Sequence, residues 1–355
     1  MTRRLRINLA ALSANYRLFQ SSCAGGISAA VVKADAYGLG VMPVARTLWR
    51  EGCRHFFVAS CEEGVHLRAQ FPQARIYVFE GARDETAAIL ADAGLIPVLN
   101  HPGQLEAWKR LGSGGAVAVH LDTGMHRLGF PWDTDVDAFS DIAVQLLMTH
   151  LACADEPDHP LNAIQRQRFA DAGARFRTRF PGLRFSVGNS AGVLSGAEGD
   201  GELGRPGIGL YGGNPLAYGA SPVRPVVTME GQVLQLRRVL PGEAIGYGAS
   251  HQASREMAVA VVGLGYADGL PRLLSNRGEA FCDGRRCPIV GRVSMDLTTV
   301  DVSGVSVVPG DWLEFMGEHI SVDEVAAWAQ TIPYEILTGL GSRHERIYEE
   351  TAATD

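Results

Sequence analysis

The chain has 355 residues, a formal net charge of -7 and 20% charged residues. That describes a folded protein larger than one average domain and excludes a nucleic-acid binder that relies on a basic surface. Hydrophobic residues make up 46%, enough for a sizeable core, yet the longest near-apolar stretch, Met257 to Ala267, is far too short to span a bilayer. The cysteines, at 23, 53, 61, 153, 282 and 287, include no C-x-x-C pair. They read as reduced thiols in a cytoplasmic protein, and no metal site is expected.

The basic start Met1–Arg6 is not followed by a clean apolar region, because Asn8, Ser13, Asn15 and Arg17 interrupt it. Leu9, Leu12, Tyr16 and Phe19 recur at helical spacing instead. From residue 28 to about 212, short apolar runs alternate with amphipathic segments. The runs Ala29–Lys33, Phe56–Ser60, Ile76–Glu80, Ile96–Leu99, Val117–Leu121, Gln145–His150, Arg184–Val187 and Gly207–Tyr211 read as strands. Pro43–Glu51, Glu62–Gln70, Glu85–Ala93, Pro102–Leu111 and Gln165–Thr178 read as helices between them. Eight strands alternating with helices predict an α/β protein with a (β/α)8 TIM barrel over residues 1–221. After Ser221 the texture changes. Val226–Leu236, Met257–Val262, Ile289–Val293 and Leu297–Val302 alternate roughly with period two, and turn signals such as Pro241-Gly242 and Asp283-Gly284 separate them. Residues 222–355 are therefore expected to form a mostly antiparallel β domain, with one short helix at Val322–Gln330.

Active sites of such barrels lie at the carboxyl ends of the strands. The first run ends in Lys33, and Tyr37 follows in a glycine-containing loop. Lysine is costly to bury unless paired or chemically used, and a desolvated amine loses its proton readily and can condense with an aldehyde. The fifth strand runs into a loop carrying Arg127, the sixth ends in His150, and the seventh ends in Gly188-Asn189-Ser190-Ala191-Gly192. Around the eighth lie Arg205, Gly207 and Ile208. Glycines in the last two loops let backbone N–H groups approach an anion closely. A phosphate held there, with an aldehyde-reactive lysine on the first strand, describes pyridoxal 5'-phosphate across the barrel mouth. Taken one at a time these residues have duller readings. His150 can be a core histidine, Arg127 a helix cap, Met295 core filler and Tyr266 a half-buried strand-end tyrosine.

The motif AVVKADAYGLG closely resembles the cofactor-lysine signature of alanine racemases, and LDTGMHRLGF, MTHLACAD, GNSAG, RPGIGLYG, GLGYADG and VGRVSMD resemble that family's later motifs in the same order. The resemblance implies a pyridoxal-phosphate-dependent isomerase that interconverts L- and D-alanine by a two-base mechanism and supplies D-alanine for peptidoglycan. A racemase of the same fold with broader specificity, for serine for example, is the alternative. By the resemblance Lys33 carries the cofactor and is one base. Tyr266 is the other, acting from the partner subunit of a homodimer with shared active sites. Tyr37, Ser190, Gly207, Ile208 and Tyr211 hold the phosphate, with Asn189 in the same loop. Arg127 contacts the cofactor's phenolic oxygen and the substrate carboxylate. Arg205 bonds the pyridine nitrogen, with His150 linking Arg205 to Tyr266. Met295 and Asp296 line the site from the partner. An arginine stays protonated, so it leaves the ring nitrogen without a proton and favours racemisation over decarboxylation.

The chain also departs from that pattern. Many members carry a carbamylated lysine two residues before the loop aspartate, and this position is His120. Arg127 is then expected to be held by a neutral His120, or by an anion beside a protonated one. The position where some members place a tyrosine at the substrate corridor falls on Ser342.

Overall fold

The structure is a computed structural model that describes residues 2–23, 26–112, 114–196 and 201–350. The parallel strands His55–Val58, Arg75–Val78, Ile96–Leu99, Ala116–Asp122, Ala143–Met148 and Arg184–Ser186 follow the first barrel strand, Ile27–Ser28 with Ala30–Val31, in hydrogen-bonded order. His55–Val58 and Ile96–Leu99 are buried along their whole length. This is what helices outside and side chains inside impose on a parallel sheet. The ring closes through Leu203–Gly204, which pairs in parallel with Ile27–Ser28. Glu202 N donates to Phe185 O and Arg205 N to Gly188 O, both at 2.8 Å, tying this strand to the seventh.

The eighth strand is therefore Leu203–Gly204, and the predicted run Gly207–Tyr211 is a correction. Ile208–Tyr211 forms a 3-10 turn that Gly212 ends at a positive φ of 92°. The apolar residues there are buried because the turn packs under the barrel mouth, so burial misled the period argument. The helices fall close to their expected places. Ser60 caps Cys61–Gln70 by accepting from Glu63 N, and Pro102 begins Pro102–Leu111. No helix among the described residues is long and apolar enough to cross a membrane.

The second unit is built on Val227–Val239, a strand of 13 residues. It pairs antiparallel with Met257–Val262 and Trp312–Met316. Glu279–Cys282 and Arg285–Pro288 form a hairpin across Asp283-Gly284, both at positive φ, as a two-residue turn matching the strand twist requires. The predicted strand at Ile289–Val293 shrinks to one bridge, Ile289 to Val300, and the chain turns away at Gly291 with φ 83°. Among the described residues, Glu279–Cys282, Arg285–Pro288, Trp312–Met316, Glu345–Glu349 and Arg3–Asn8 escape the period-two reading. Arg3–Asn8 pairs antiparallel with Val227–Val239 and parallel with Glu345–Glu349, so the first described strand lies in the second sheet and not with the barrel. Its arginines conceal it. Arg4 and Arg6 form bidentate pairs with Glu230 and Glu349 across the sheet.

Candidate active site

The chain turns left immediately after Lys33. Ala34, Asp35, Ala36 and Tyr37 all have φ between 52° and 57°. At roughly 1–2 kcal/mol for each residue, this left-handed turn costs on the order of 4–8 kcal/mol, so its surroundings must impose it. Gly38 N returns to Ala34 O at 2.8 Å and Gly40 N to Asp35 O at 2.9 Å. Asp35 Oδ1 accepts from Val41 N at 2.7 Å. The Tyr37 ring packs between Tyr211, at 4.7 Å, and Tyr334, at 6.0 Å between centroids. Lys33 and Tyr37 consequently face one cavity of about 480 Å³ at the strand ends.

Arg127, His150, Asn189, Ser190, Arg205, Gly207 and Ile208 line the same cavity. The sequence-predicted barrel residues converge with one exception. Tyr211, expected beside the phosphate, does not line the cavity. Its hydroxyl is buried and donates to Val31 O at 2.8 Å, bracing the strand that delivers Lys33. The tyrosine at the wall is Tyr334, from the helix Pro333–Thr338. No glycine or strand end marks this position in the sequence. Ser342, read as the place of a missing tyrosine, is exposed on the following segment, so Tyr334 supplies the aromatic group at this mouth.

The site is electropositive. Burial first, and then the Arg127 guanidinium, hold the Lys33 amine below the usual lysine range, while Glu63 acts the other way. The amine stands 5.8 Å from the centre of the Phe79 ring. Arg205 is buried, and its guanidinium donates to Ser186 Oγ at 2.5 Å and to Thr149 O at 2.6 Å. Burial, then Arg205 and Arg127, push the His150 imidazole well below its ordinary value, so it is neutral. At the other end Ser190 Oγ accepts from Gly207 N at 2.8 Å and Gly209 N at 3.3 Å. A Cβ on Gly207 would collide with the Tyr37 hydroxyl. The bare backbone at Gly207 and the hydroxyls of Ser190 and Tyr37 thus meet at this end of the cavity. Gly207→Ala is expected to weaken cofactor binding about tenfold or more by overpacking, read as the pyridoxal phosphate dissociation constant. An unchanged constant would remove Gly207 from the cradle.

His120 does not hold Arg127. His120 Nδ1 lies 2.9 Å from Asn100 Oδ1, not against Arg127. Its burial, more than the neighbouring Arg205, holds it at about 4. A neutral ring gives no cationic partner for an anion. The Arg127 side chain makes no hydrogen bond or ion pair with the described residues, and its backbone is what is held. Asp122 Oδ1 accepts from Gly124, Met125 and His126 N at 2.9, 2.9 and 3.2 Å. The loop then returns so that Phe130 pairs with Leu121 of its own strand.

His55 is likewise buried and held at about 4, by desolvation first. Both imidazoles lie below their ordinary 6.5. The unfolded chain therefore takes up protons that the folded one refuses between pH 6.5 and 4. Stability is full above that window and falls as the pH drops through it, by up to about 3 kcal/mol for each ring. Thermal unfolding at pH 7 and pH 5 should show His120→Gln losing less stability on acidification than the unsubstituted protein. Equal losses would show that His120 is not a source of the slope.

The remaining predicted residues lie elsewhere on the chain. Tyr266, Met295 and Leu297 are exposed, at 42, 54 and 40%, and Asp296 pairs with Arg343 at 2.8 Å. The Tyr266 turn is nevertheless rigidly built. Fully buried Asp268 accepts from Gly265 N at 3.0 Å and pairs with Arg3 at 2.6 Å and Arg343 at 2.8 Å. Gly265 has no room for a Cβ against the Met295 backbone, which locks the two exposed groups into one surface.

A half-buried lysine amine, a glycine-serine loop and a buried arginine at one barrel mouth fit a pyridoxal-phosphate enzyme of the barrel class. The comparisons with known proteins narrow the class. Residues 7–215 match the alanine racemase N-terminal domain and 226–348 the alanine racemase C-terminal domain. An alanine racemase of Rhodospirillum rubrum is 46% identical over 97% of this chain and 95% of its own. A catabolic alanine racemase of Rhizobium johnstonii is 44% identical over 97% and 94%. The crystal structure of alanine racemase from Bartonella henselae, with covalently bound pyridoxal phosphate, superposes with a TM-score of 0.90 at 36% identity, covering 98% of this chain and all of that one. The chain belongs to the alanine racemase family.

Proposed function

We propose that this chain interconverts L- and D-alanine, with Lys33 and the partner subunit's Tyr266 moving protons on opposite faces of the substrate α-carbon. The observation that carries the reading is the cavity in which the Lys33 amine, the unpaired Arg127 and the Ser190–Gly207 cradle meet. Pyridoxal phosphate, when bound, supplies an aldehyde that condenses with amines and a ring that withdraws electrons from the α-carbon. Tyr37, Ser190, Gly207, Ile208 and Tyr334 would hold its phosphate. Arg205, fixed by Ser186 and Thr149, would face the pyridine nitrogen and deny it a proton. Arg127 is free to orient the substrate carboxylate. Burial and Arg127 lower the proton affinity of Lys33, which favours the unprotonated amine that a base requires. A proton removed by one base tends to return to the same face, so a second base is needed opposite, and we assign His150 to link Arg205 to it.

In one chain Tyr266 and Met295 are exposed rather than set beside Lys33. A homodimer in which each chain completes the other's site accounts for this, with Met295 and Asp296 at the shared wall. We divide the chain at Ser221, between barrel and β unit, with strand Arg3–Asn8 crossing over; the gap between the two matched family domains supports this place. The six thiols suit a reducing cytoplasm, and we assign the product to peptidoglycan supply. Deleting the gene tests this role: a strain that then requires D-alanine supports it, and one that only fails to grow on D-alanine points to breakdown. The activity itself is tested by following optical rotation over a panel of L-amino acids. Turnover of alanine above the others is expected, and a preference for serine would favour the broader racemase.

A further inference from the structure

Glu63 has two unusual partners. It sits in the first turn of the helix Cys61–Gln70, where Ser60 Oγ accepts from its N–H at 3.4 Å. Its carboxylate reaches past its own cap. One oxygen accepts from Ala34 N at 2.7 Å and the other from Ala59 N at 2.7 Å. Ala34 directly follows Lys33 and opens the left-handed turn. Ala59 follows the second barrel strand and lines the cavity. A single carboxylate thus joins the ends of the first two strands at the residue next to the amine.

The other bonds of the turn come from its own segment or act on its far end. Ala36 N, Gly38 N and Gly40 N bond to carbonyls between Val32 and Asp35. Tyr348 and Arg346 donate to Leu39 O and Gly38 O, beyond Tyr37. At the Lys33 end, among the described residues, the side-chain anchor is Glu63. It makes no ion pair there, so its full acceptor capacity serves these amides. Charge-assisted bonds of this length are the strong kind.

We propose that Glu63 is a positioning residue for Lys33: by holding the amides of Ala34 and Ala59 together, its carboxylate compels the left-handed turn and fixes the amine between Phe79 and Arg127. The inference rests on Lys33 being the cofactor-bearing amine. The negative charge acts in the same place, since it opposes the effect of Arg127 on the Lys33 proton.

Glu63→Gln tests the inference on the holoenzyme. Glutamine keeps the shape and one accepting oxygen, but turns an NH2 group against the second amide and removes the charge. Borohydride reduction and peptide mapping first locate the cofactor's amine. Hydrogen exchange of the peptide covering residues 30–40 should then quicken about tenfold or more, while the helix 61–70 stays protected. The pyridoxal phosphate dissociation constant should rise by a similar factor. The kcat should fall about tenfold or more with KM for alanine changed little, because Glu63 does not touch the substrate. Glu63→Asp, which can reach one amide, should lie between the two, and it serves if the glutamine variant does not fold. A label on Lys33 with unchanged exchange and unchanged cofactor affinity overturns the role of Glu63. A label on another residue overturns the assignment of Lys33, and the inference with it.

Discussion

Lys33→Ala should lower racemisation of alanine by roughly ten-thousand-fold or more, because it removes both the cofactor's covalent anchor and one proton carrier. The fold should survive. Lys33 is only half-buried, and the turn that follows is held by Glu63, Asp35 and the Tyr37 packing rather than by the amine. Circular dichroism should therefore match the unsubstituted protein, while borohydride fixes no pyridoxal phosphate to the chain. A small added amine should restore part of the rate, since the cavity already contains the space the side chain vacates. A variant that still turns over alanine at an appreciable fraction of the original rate would remove Lys33 from the mechanism.

The second large effect is at Tyr266. Loss of its hydroxyl in Tyr266→Phe should cut racemisation by roughly a hundred- to a thousand-fold. Both directions fall together, because the two enantiomers are equal in free energy. What should persist is exchange of the α-proton of one enantiomer with solvent, on the face that Lys33 serves. Mixing makes the test sharper. A dimer of one Lys33→Ala chain and one Tyr266→Phe chain has one site with both residues intact if the sites are shared. An equal mixture allowed to exchange subunits should then regain about a quarter of the original activity. If each chain supplied both residues of its own site, no hybrid would work and the mixture would stay inactive.

Much of this site was legible because barrels place chemistry at strand ends, so locating the strands located Lys33, Arg127, His150 and Ser190. The same logic failed where a residue reaches the cavity from outside the barrel. Tyr334 comes from a short helix of the second unit, and nothing in its neighbours announces a wall. Tyr211 failed for the opposite reason. It lies beside the cradle in sequence, but its ring stacks on Tyr37 and its hydroxyl is spent on Val31 O. Glu63 lies in the first turn of a helix, and only the backbone path after Lys33 shows what it holds. In the fold, strands with apolar alternation were visible, whereas Arg3–Asn8 was not. Its outward arginines are satisfied by carboxylates from strands more than two hundred residues away. The question raised by His120 also has a structural answer. Asn100 takes the ring, and Asp122 holds the Arg127 loop by its amides.

The position of Arg3–Asn8 also sets an order of events at the ribosome. This strand is made well before its two neighbours, Val227–Val239 and Glu345–Glu349. At about 5–20 residues per second, it waits roughly ten seconds or more for the first of them. The barrel can close in that interval, and the clasp of the second sheet comes last. Arg3 then reaches Asp268 and completes the support of the Tyr266 turn. The barrel's share of the cavity can thus form early, while the wall at Tyr334 and the braced Tyr266 turn both wait for the second unit.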